Sequence, residues 1–233
     1  MEIKELISIY PTLYHMAEFG SWENIKANGL LSTSALLDLY KINGQKRQQI
    51  ETCHRSESIT INCQGLPTAV VRDQKPMSDS ALQKVLLDNL TPADWYRILN
   101  SKVFFWSSYE KVLKLLNARA YRSKSHDVIA VDTASLIKNY SEKIFLCPYN
   151  RGSTIMSPVQ RGKDLFKPIQ EYDFLYWKKK RGRAQAVTEV CVEGGVDIVE
   201  TYVRLGLEYG LIKQTGAWYT YEKMPSKVAG INK

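Results

Sequence analysis

The chain contains no apolar run long enough to cross a bilayer, and its opening Met1-Glu2-Ile3-Lys4-Glu5 lacks the basic and apolar regions of a secretory leader. A cytoplasmic protein with no membrane partner is therefore expected. Cysteine is scarce: Cys53, Cys63, Cys147 and Cys191 show no paired spacing, so disulfides are not expected. Cys53-His54 with Cys63 is the one ligand-like grouping, and it lacks the pairing of a tetrahedral site, so no metal cofactor is expected. There is no Gly-x-x-x-x-Gly-Lys-Ser/Thr loop and no Gly-x-Ser-x-Gly elbow, which removes nucleotide hydrolysis of the P-loop type and serine hydrolysis of the α/β type. Low-complexity tracts are also missing, and a folded chain is implied.

What the chain does have is positive charge. Lys and Arg number 32 against 24 Asp and Glu, a formal excess of +8 over 233 residues. Such an excess favours polyanionic partners, although most of it is ordinary solvated surface. Its placement carries more meaning than its sum.

Apolar periodicity alternates between strand and helix without regular βαβ spacing, which points to a mixed α/β or α+β domain. Strands are expected over Thr12–His15, Ile59–Asn62, Ala69–Val71, Lys102–Trp106, Val128–Asp132, Ile144–Leu146 and Ala186–Val192. Helices are expected over residues 21–28, stopped by Gly29, over Ala35–Tyr40, around Lys46 and Arg47, over Ser78–Leu87, and over Ala93–Leu99 behind the Thr91-Pro92 cap. Two more follow, over Tyr109–Asn117 behind Ser108 and from a Thr133 cap to Tyr140. The turn-rich stretch from Pro148 to Pro168 has no clear period. Beyond Glu193-Gly194-Gly195, a helix over Val196–Tyr209 and a hairpin, Leu211-Ile212-Lys213 against Trp218-Tyr219-Thr220-Tyr221, suggest a small appendage, dividing the chain into 1–193 and 194–233.

Three segments together resemble the ADP-ribosyltransferases of the diphtheria-toxin and poly(ADP-ribose)-polymerase type. The first is Leu13-Tyr14-His15, followed by Trp22, Ile25 and Gly29-Leu30-Leu31; the second is Val103-Phe104-Phe105-Trp106-Ser107-Ser108; the third is Glu189 in Ala186-Val187-Thr188-Glu189-Val190-Cys191-Val192. The resemblance covers roughly residues 10–193. It implies an α+β fold with a split mixed or antiparallel β core and a helical insert, and NAD as the substrate. It further implies that His15 binds a ribose hydroxyl, that Tyr14, Phe104, Ser107 and Tyr121 help form the NAD slot, and that Glu189 is catalytic with His15. Phe104 stands where the family usually has Tyr, which removes a hydroxyl and keeps a stacking face. Taken alone, His15 reads by default as a buried structural histidine, and the alternative for Glu189 is an edge-strand residue turned to water. Arg72-Asp73-Gln74 with Asn100 carries no role from the resemblance.

The segment Tyr172–Arg183 precedes the Glu189 strand, where the family places an acceptor-recognition loop. Trp177, Lys178, Lys179, Lys180, Arg181 and Arg183 combine cations with aromatic rings, a composition suited to phosphates and stacked bases, or to nothing more than a solvated loop. DNA or RNA is the expected acceptor; a protein acceptor, or an inactive binding module on the same fold, are the alternatives. Val187, two residues before Glu189, occupies the position where a second Glu or Gln would better fit a protein acceptor. Leu205–Ile212 and Gly216–Tyr221 also resemble the helix and hairpin near the end of the RecA recombinase core, which implies either a structural hairpin or docking to DNA or a recombination partner.

Overall fold

The computed structural model describes residues 1–75, 77–150 and 159–197, together with the backbone of 213–215 and 218–220. In chain order the elements are α1 (Ile3–Ile9), β1 (Thr12–Glu18), α2 (Trp22–Asn28), β2 (Leu30–Leu31), α3 (Thr33–Leu39), α4 (Gly44–Thr52), β3 (Ile59–Ile61), β4 (Ala69–Val71), α5 (Asp79–Gln83) and α6 (Pro92–Asn100). They continue as β5 (Lys102–Trp106), α7 (Tyr109–Leu116), β6 (His126–Asp132), α8 (Thr133–Tyr140), β7 (Ile144–Cys147), β8 (Lys167–Pro168), α9 (Phe174–Arg181), β9 (Glu189–Glu193), β10 (Gly195–Val196), β11 (Lys213–Thr215) and β12 (Trp218–Thr220).

Local chemistry sets many of these limits. Thr91 caps α6 through the backbone N–H of Asp94, Asp94 returns a bond to the Thr91 backbone, and Pro92 needs no donor at the first helical position. Ser32 and Ser78 cap α3 and α5 in the same way. Asp132, not Thr133, caps α8, accepting from Ser135 N at 2.8 Å; the carboxylate reaches the free N–H groups from one residue earlier. Gly29 ends α2 at φ +84°, and a Cβ there would stand 2.9 Å from the Val196 carbonyl oxygen. Glycine thus permits both the turn and the close approach of β10.

Six strands form one sheet in the order β6-β1-β5-β9-β7-β8, with every neighbouring pair antiparallel. One face packs Leu13, Val103, Phe105, Val131, Val190 and Val192 against Leu6 of α1 and Leu136 of α8. On the other, Val112 and Leu116 of α7 cover Tyr14, Met16 and Val128, while Trp95, Tyr96 and Leu99 of α6 cover Cys191. The insert between β2 and β5 has its own small core of Leu37, Tyr40, Ile50, Ile61 and Val71, built by α3, α4 and the β3–β4 hairpin.

The sheet is unevenly joined. β1 pairs with β6 at seven positions and β5 pairs with β9 at five, yet β1 and β5 share the single pair Tyr14↔Trp106. Beyond it the strands part, and the split opens toward the insert. The sheet is antiparallel throughout its described strands, and with the helices around it the fold is of the expected α+β class.

Several expectations are corrected. The segment from Phe174 to Arg181 is a helix and not a loop: Asp173 caps it through Tyr176 N, and Gly182 at φ +81° stops it. Strand β9 starts at Glu189, three residues later than expected, because Arg183–Gln185 forms a 3-10 turn and side chains bind the carbonyls of Ala186 and Val187. Val196 does not begin a helix; in β10 it pairs with Leu30 of β2. The helix expected at 198–209 lies outside the described residues. Where the companion hairpin is expected, Lys213–Thr215 pairs with Trp218–Thr220, so the first strand is shifted toward the turn; Leu211, Ile212 and Tyr221 lie outside the described residues.

Candidate functional site

A cavity of about 360 Å³ occupies the split between β1 and β5 and is roofed by the insert. His15 enters from β1, Phe104 from β5, Glu189 from β9 and Tyr121 from the turn after α7. Four residues read from separate parts of the sequence therefore line one space.

His15 sits where β5 has left β1. Its Nδ1 lies 2.8 Å from the Phe104 carbonyl oxygen, which can only accept, so Nδ1 carries the proton and Nε2 is an acceptor. Burial pushes the ring's pKa down to about 4, with the Phe104 bond pulling the other way and the Arg72 charge adding to the depression. A neutral imidazole with a fixed tautomer can accept a hydrogen bond from a hydroxyl at Nε2.

Along β5 the residues alternate, Val103 and Phe105 buried, Lys102, Phe104 and Trp106 half-buried. Trp106 pairs with Glu189 and Phe104 with Cys191, so Glu189 and Phe104 project from the same face. Glu189 is 5 % exposed and belongs to an interior strand flanked by β5 and β7, which rules out the edge-strand reading. A carboxylate at such a position costs free energy unless it is paired or functional.

Tyr121 is buried against the opposite wall. Its hydroxyl donates to Asp73 Oδ1 at 2.7 Å, Arg72 lies 5.3 Å over its ring, and burial raises its pKa. These contacts fix the ring plane, as a stacking surface requires.

Two residues expected in the slot stand elsewhere. Tyr14 points to the other side of β1 and packs with Tyr109 under α7. Ser107 is 3 % exposed; its hydroxyl donates to the Val187 carbonyl and accepts from Lys111 Nζ at 2.8 Å. Its role is to hold the approach to β9. Val187 is fully buried, its N–H donating to the Tyr10 hydroxyl at 3.0 Å.

Helix α9 carries Lys178, Lys179 and Lys180 exposed in its last turn, where cations complement the helix dipole, and Arg183 exposed just beyond. Trp177 is half-buried, edge-on to Tyr149 at 5.3 Å and to Tyr176 at 4.8 Å. The ring α9 offers to solvent is therefore Tyr176, 51 % exposed, beside Leu175 at 74 %. None of these side chains lines the cavity, but the connection is short: Arg181 donates to the Pro148 carbonyl and covers the Tyr149 ring, and the next residue, Asn150, is in the cavity wall.

The cavity also holds residues without an expected role. Arg55, Arg72, Asn100 and Trp106 line it, the first three from the insert or its end. Arg72 and Asn100 lie in a stretch that the sequence marks out without a function; nothing local to Arg55 distinguishes it from any surface arginine.

Among the described residues no group of His, Cys, Asp and Glu side chains is placed to hold a metal ion, and no helix is long and apolar enough to cross a membrane. No curated protein and no solved structure matches the chain. Residues 11–203 match the family described as "Family of unknown function (DUF7002)", and the chain belongs to that family.

Proposed function

We propose that the protein is an NAD-dependent ADP-ribosyltransferase whose acceptor is nucleic acid. The observation that carries this reading is the convergence of His15, Phe104, Tyr121 and Glu189 on one cavity at the split of the sheet. In it, Nε2 of His15 accepts from a ribose hydroxyl, and the rings of Phe104 and Tyr121 flank nicotinamide. Cleavage of the ribose–nicotinamide bond leaves the electron pair on nicotinamide and positive charge on the ribose, an oxocarbenium-like state akin to that of glycosidases. The Glu189 carboxylate stabilises that charge and orients the attacking acceptor; a buried, fixed anion is effective because it needs no reorganisation.

The acceptor side follows from α9. Tyr176 and the exposed cations of Lys178, Lys179, Lys180 and Arg183 form a basic aromatic face, tied to the cavity wall through Arg181 and residues 148–150. Cations engage phosphates and an exposed ring stacks a base, with affinity that falls as salt rises. Val187, wholly buried, offers no side chain to a protein acceptor.

Incubation of the purified protein with labelled NAD, followed by separation of DNA, RNA and total protein, tests the reading. Label retained by DNA or RNA supports it. Label in protein alone transfers the proposal to a protein acceptor, and no consumption of NAD leaves only a binding module.

A further inference from the structure

Arg55 is an unusual cation. It is 7 % exposed, and it lines the cavity beneath the insert. Its Nε donates to the Arg72 carbonyl at 3.1 Å, Nη1 to the Ile50 carbonyl at 2.5 Å and Nη2 to Asn100 Oδ1 at 3.0 Å. All three acceptors are neutral. Among the described residues no carboxylate lies within the 4.0 Å of an ion pair.

Withdrawing a charge from water without a counter-ion is costly, and hydrogen bonds to neutral oxygens recover only part of that cost. Burial accordingly pushes the Arg55 pKa down to about 10, with Asp73 acting in the opposite direction from beyond ion-pair reach. A guanidinium has five N–H donors in a planar fork, and the three bonds to protein leave two.

Arg72, whose carbonyl accepts from Arg55, lines the same cavity, and its ion pair is a long one. Its Nε is 4.0 Å from Glu18 Oε2, the limit of an ion pair, while its guanidinium lies over Tyr121 and meets His126 Nδ1 at 3.3 Å. The nearby Asp73 is engaged elsewhere, by the Tyr121 hydroxyl at 2.7 Å, Lys75 N at 3.3 Å and the Ser58 hydroxyl at 3.4 Å. Two arginines thus face one cavity with their positive charge poorly neutralised. Two guanidinium forks on one cavity match a group with several anionic oxygens better than a single carboxylate.

We propose that Arg55 and Arg72 form a diphosphate subsite, contributed by the insert to the cavity in the split sheet. Asn100 positions Arg55, with its own Nδ2 fixed on the Glu51 carbonyl at 3.0 Å. The proposal rests on the transferase reading only in naming a dinucleotide as the source of the diphosphate; a free diphosphate presents the same chemistry.

Calorimetric titration of the full chain with NAD, ADP, adenosine and inorganic pyrophosphate separates these sources. In the wild type, NAD, ADP and pyrophosphate bind, and each loses affinity by about tenfold or more in Arg72→Gln and Arg55→Lys, as removal of a charge-assisted bidentate bond predicts, while adenosine changes less than about twofold. Circular dichroism checks the fold of each variant; if Arg55→Lys fails to fold, the half-exposed Arg72 decides the matter alone. Folded variants that bind ADP and pyrophosphate as the wild type does overturn the subsite, as does a wild type that binds neither. Arginine-dependent binding of pyrophosphate without any binding of NAD keeps the subsite and overturns the transferase reading. Binding of NAD that is indifferent to both arginines does the reverse.

Discussion

At the residue scale, two titratable groups on the paired strands β1 and β6 respond to pH in opposite directions. His15 titrates in the folded protein near 4, against 6.5 when exposed, so the unfolded chain binds the extra proton between those values and stability drops as pH falls through that window. Asp127 is 1 % exposed, and burial raises its pKa from 3.8 to about 6; N–H groups of Trp22, Ser21 and Gly20, short of full hydrogen bonds, pull it back. Here the folded protein keeps the proton longer, so stability drops as pH rises from about 4 to 6. Chemical denaturation at several pH values is expected to show Asp127→Asn gaining on the wild type as pH rises over that range. His15→Gln should gain on the wild type as pH falls from about 6.5 to 4. A constant difference at all pH values in either comparison contradicts the assigned environment.

Phe104 provides a second residue-scale test. Phe104→Tyr restores the hydroxyl usual in the resembled family, and the half-buried ring has cavity space beside it, so NAD kinetics should change little. Phe104→Ala should raise KM for NAD. Its stability cost should stay below the roughly 3–5 kcal/mol of a fully buried ring, since the ring is only partly buried and lines the cavity. Denaturation in parallel separates the two effects. His15, Phe104 and Glu189 are legible in the sequence because each sits in a short, strongly patterned strand. Tyr14 and Ser107 stand away from the slot for a physical reason: a one-residue step along a strand reverses the side chain, and Ser107 meets Val187, 80 residues away, through a contact that no local pattern announces.

At the element scale, strand β5 matches its expected limits, Lys102–Trp106, and α6 is announced by Thr91-Pro92. Helix α9 is not legible in the same way, since an unbroken run of Lys178, Lys179, Lys180 and Arg181 has no amphipathic period. Packing of Phe174 into the main core and the Asp173 cap make it helical regardless. Helix α1 is likewise absent from the expected elements, although Ile3, Leu6 and Ile7 carry its spacing. The helical assignment changes what α9 predicts. Replacing Lys178, Lys179, Lys180 and Arg183 with Gln should weaken single-stranded nucleic-acid binding and lower the salt slope by about 0.7 for each phosphate no longer neutralised, with hydrolysis of NAD preserved. Tyr176→Ala should weaken binding more than Trp177→Ala relative to the stability each loses, because Tyr176 is exposed and Trp177 is wedged between rings. Filter binding across a salt series measures both. An unchanged slope in the Lys/Arg variant contradicts a nucleic-acid acceptor at this face.

At the scale of the whole molecule, the arrangement depends on a sheet that is not fully zipped. Joining β1 to β5 at one pair leaves backbone groups of β5 without strand partners, and His15 takes one of them, the Phe104 carbonyl. The same opening admits the insert, whose hairpin and helices supply Arg55, Arg72 and Asn100. Sequence patterning indicates the strands and the helical insert, but not the split, which is a matter of which strands pair and for how long. Nor does it reveal a buried arginine, since burial of a charge is decided by partners distant in the chain.

The central claim is that Glu189 stabilises cationic ribose as the nicotinamide bond breaks. Release of nicotinamide from NAD, followed chromatographically with wild-type protein and Glu189→Gln, tests it most directly. The amide keeps the shape and removes the charge, so the expected result is steady release by the wild type and a loss on the order of 10² or more in the variant, with the melting temperature little changed. Equal release by the two proteins, or none by the wild type with any nucleic-acid or protein acceptor, would contradict it.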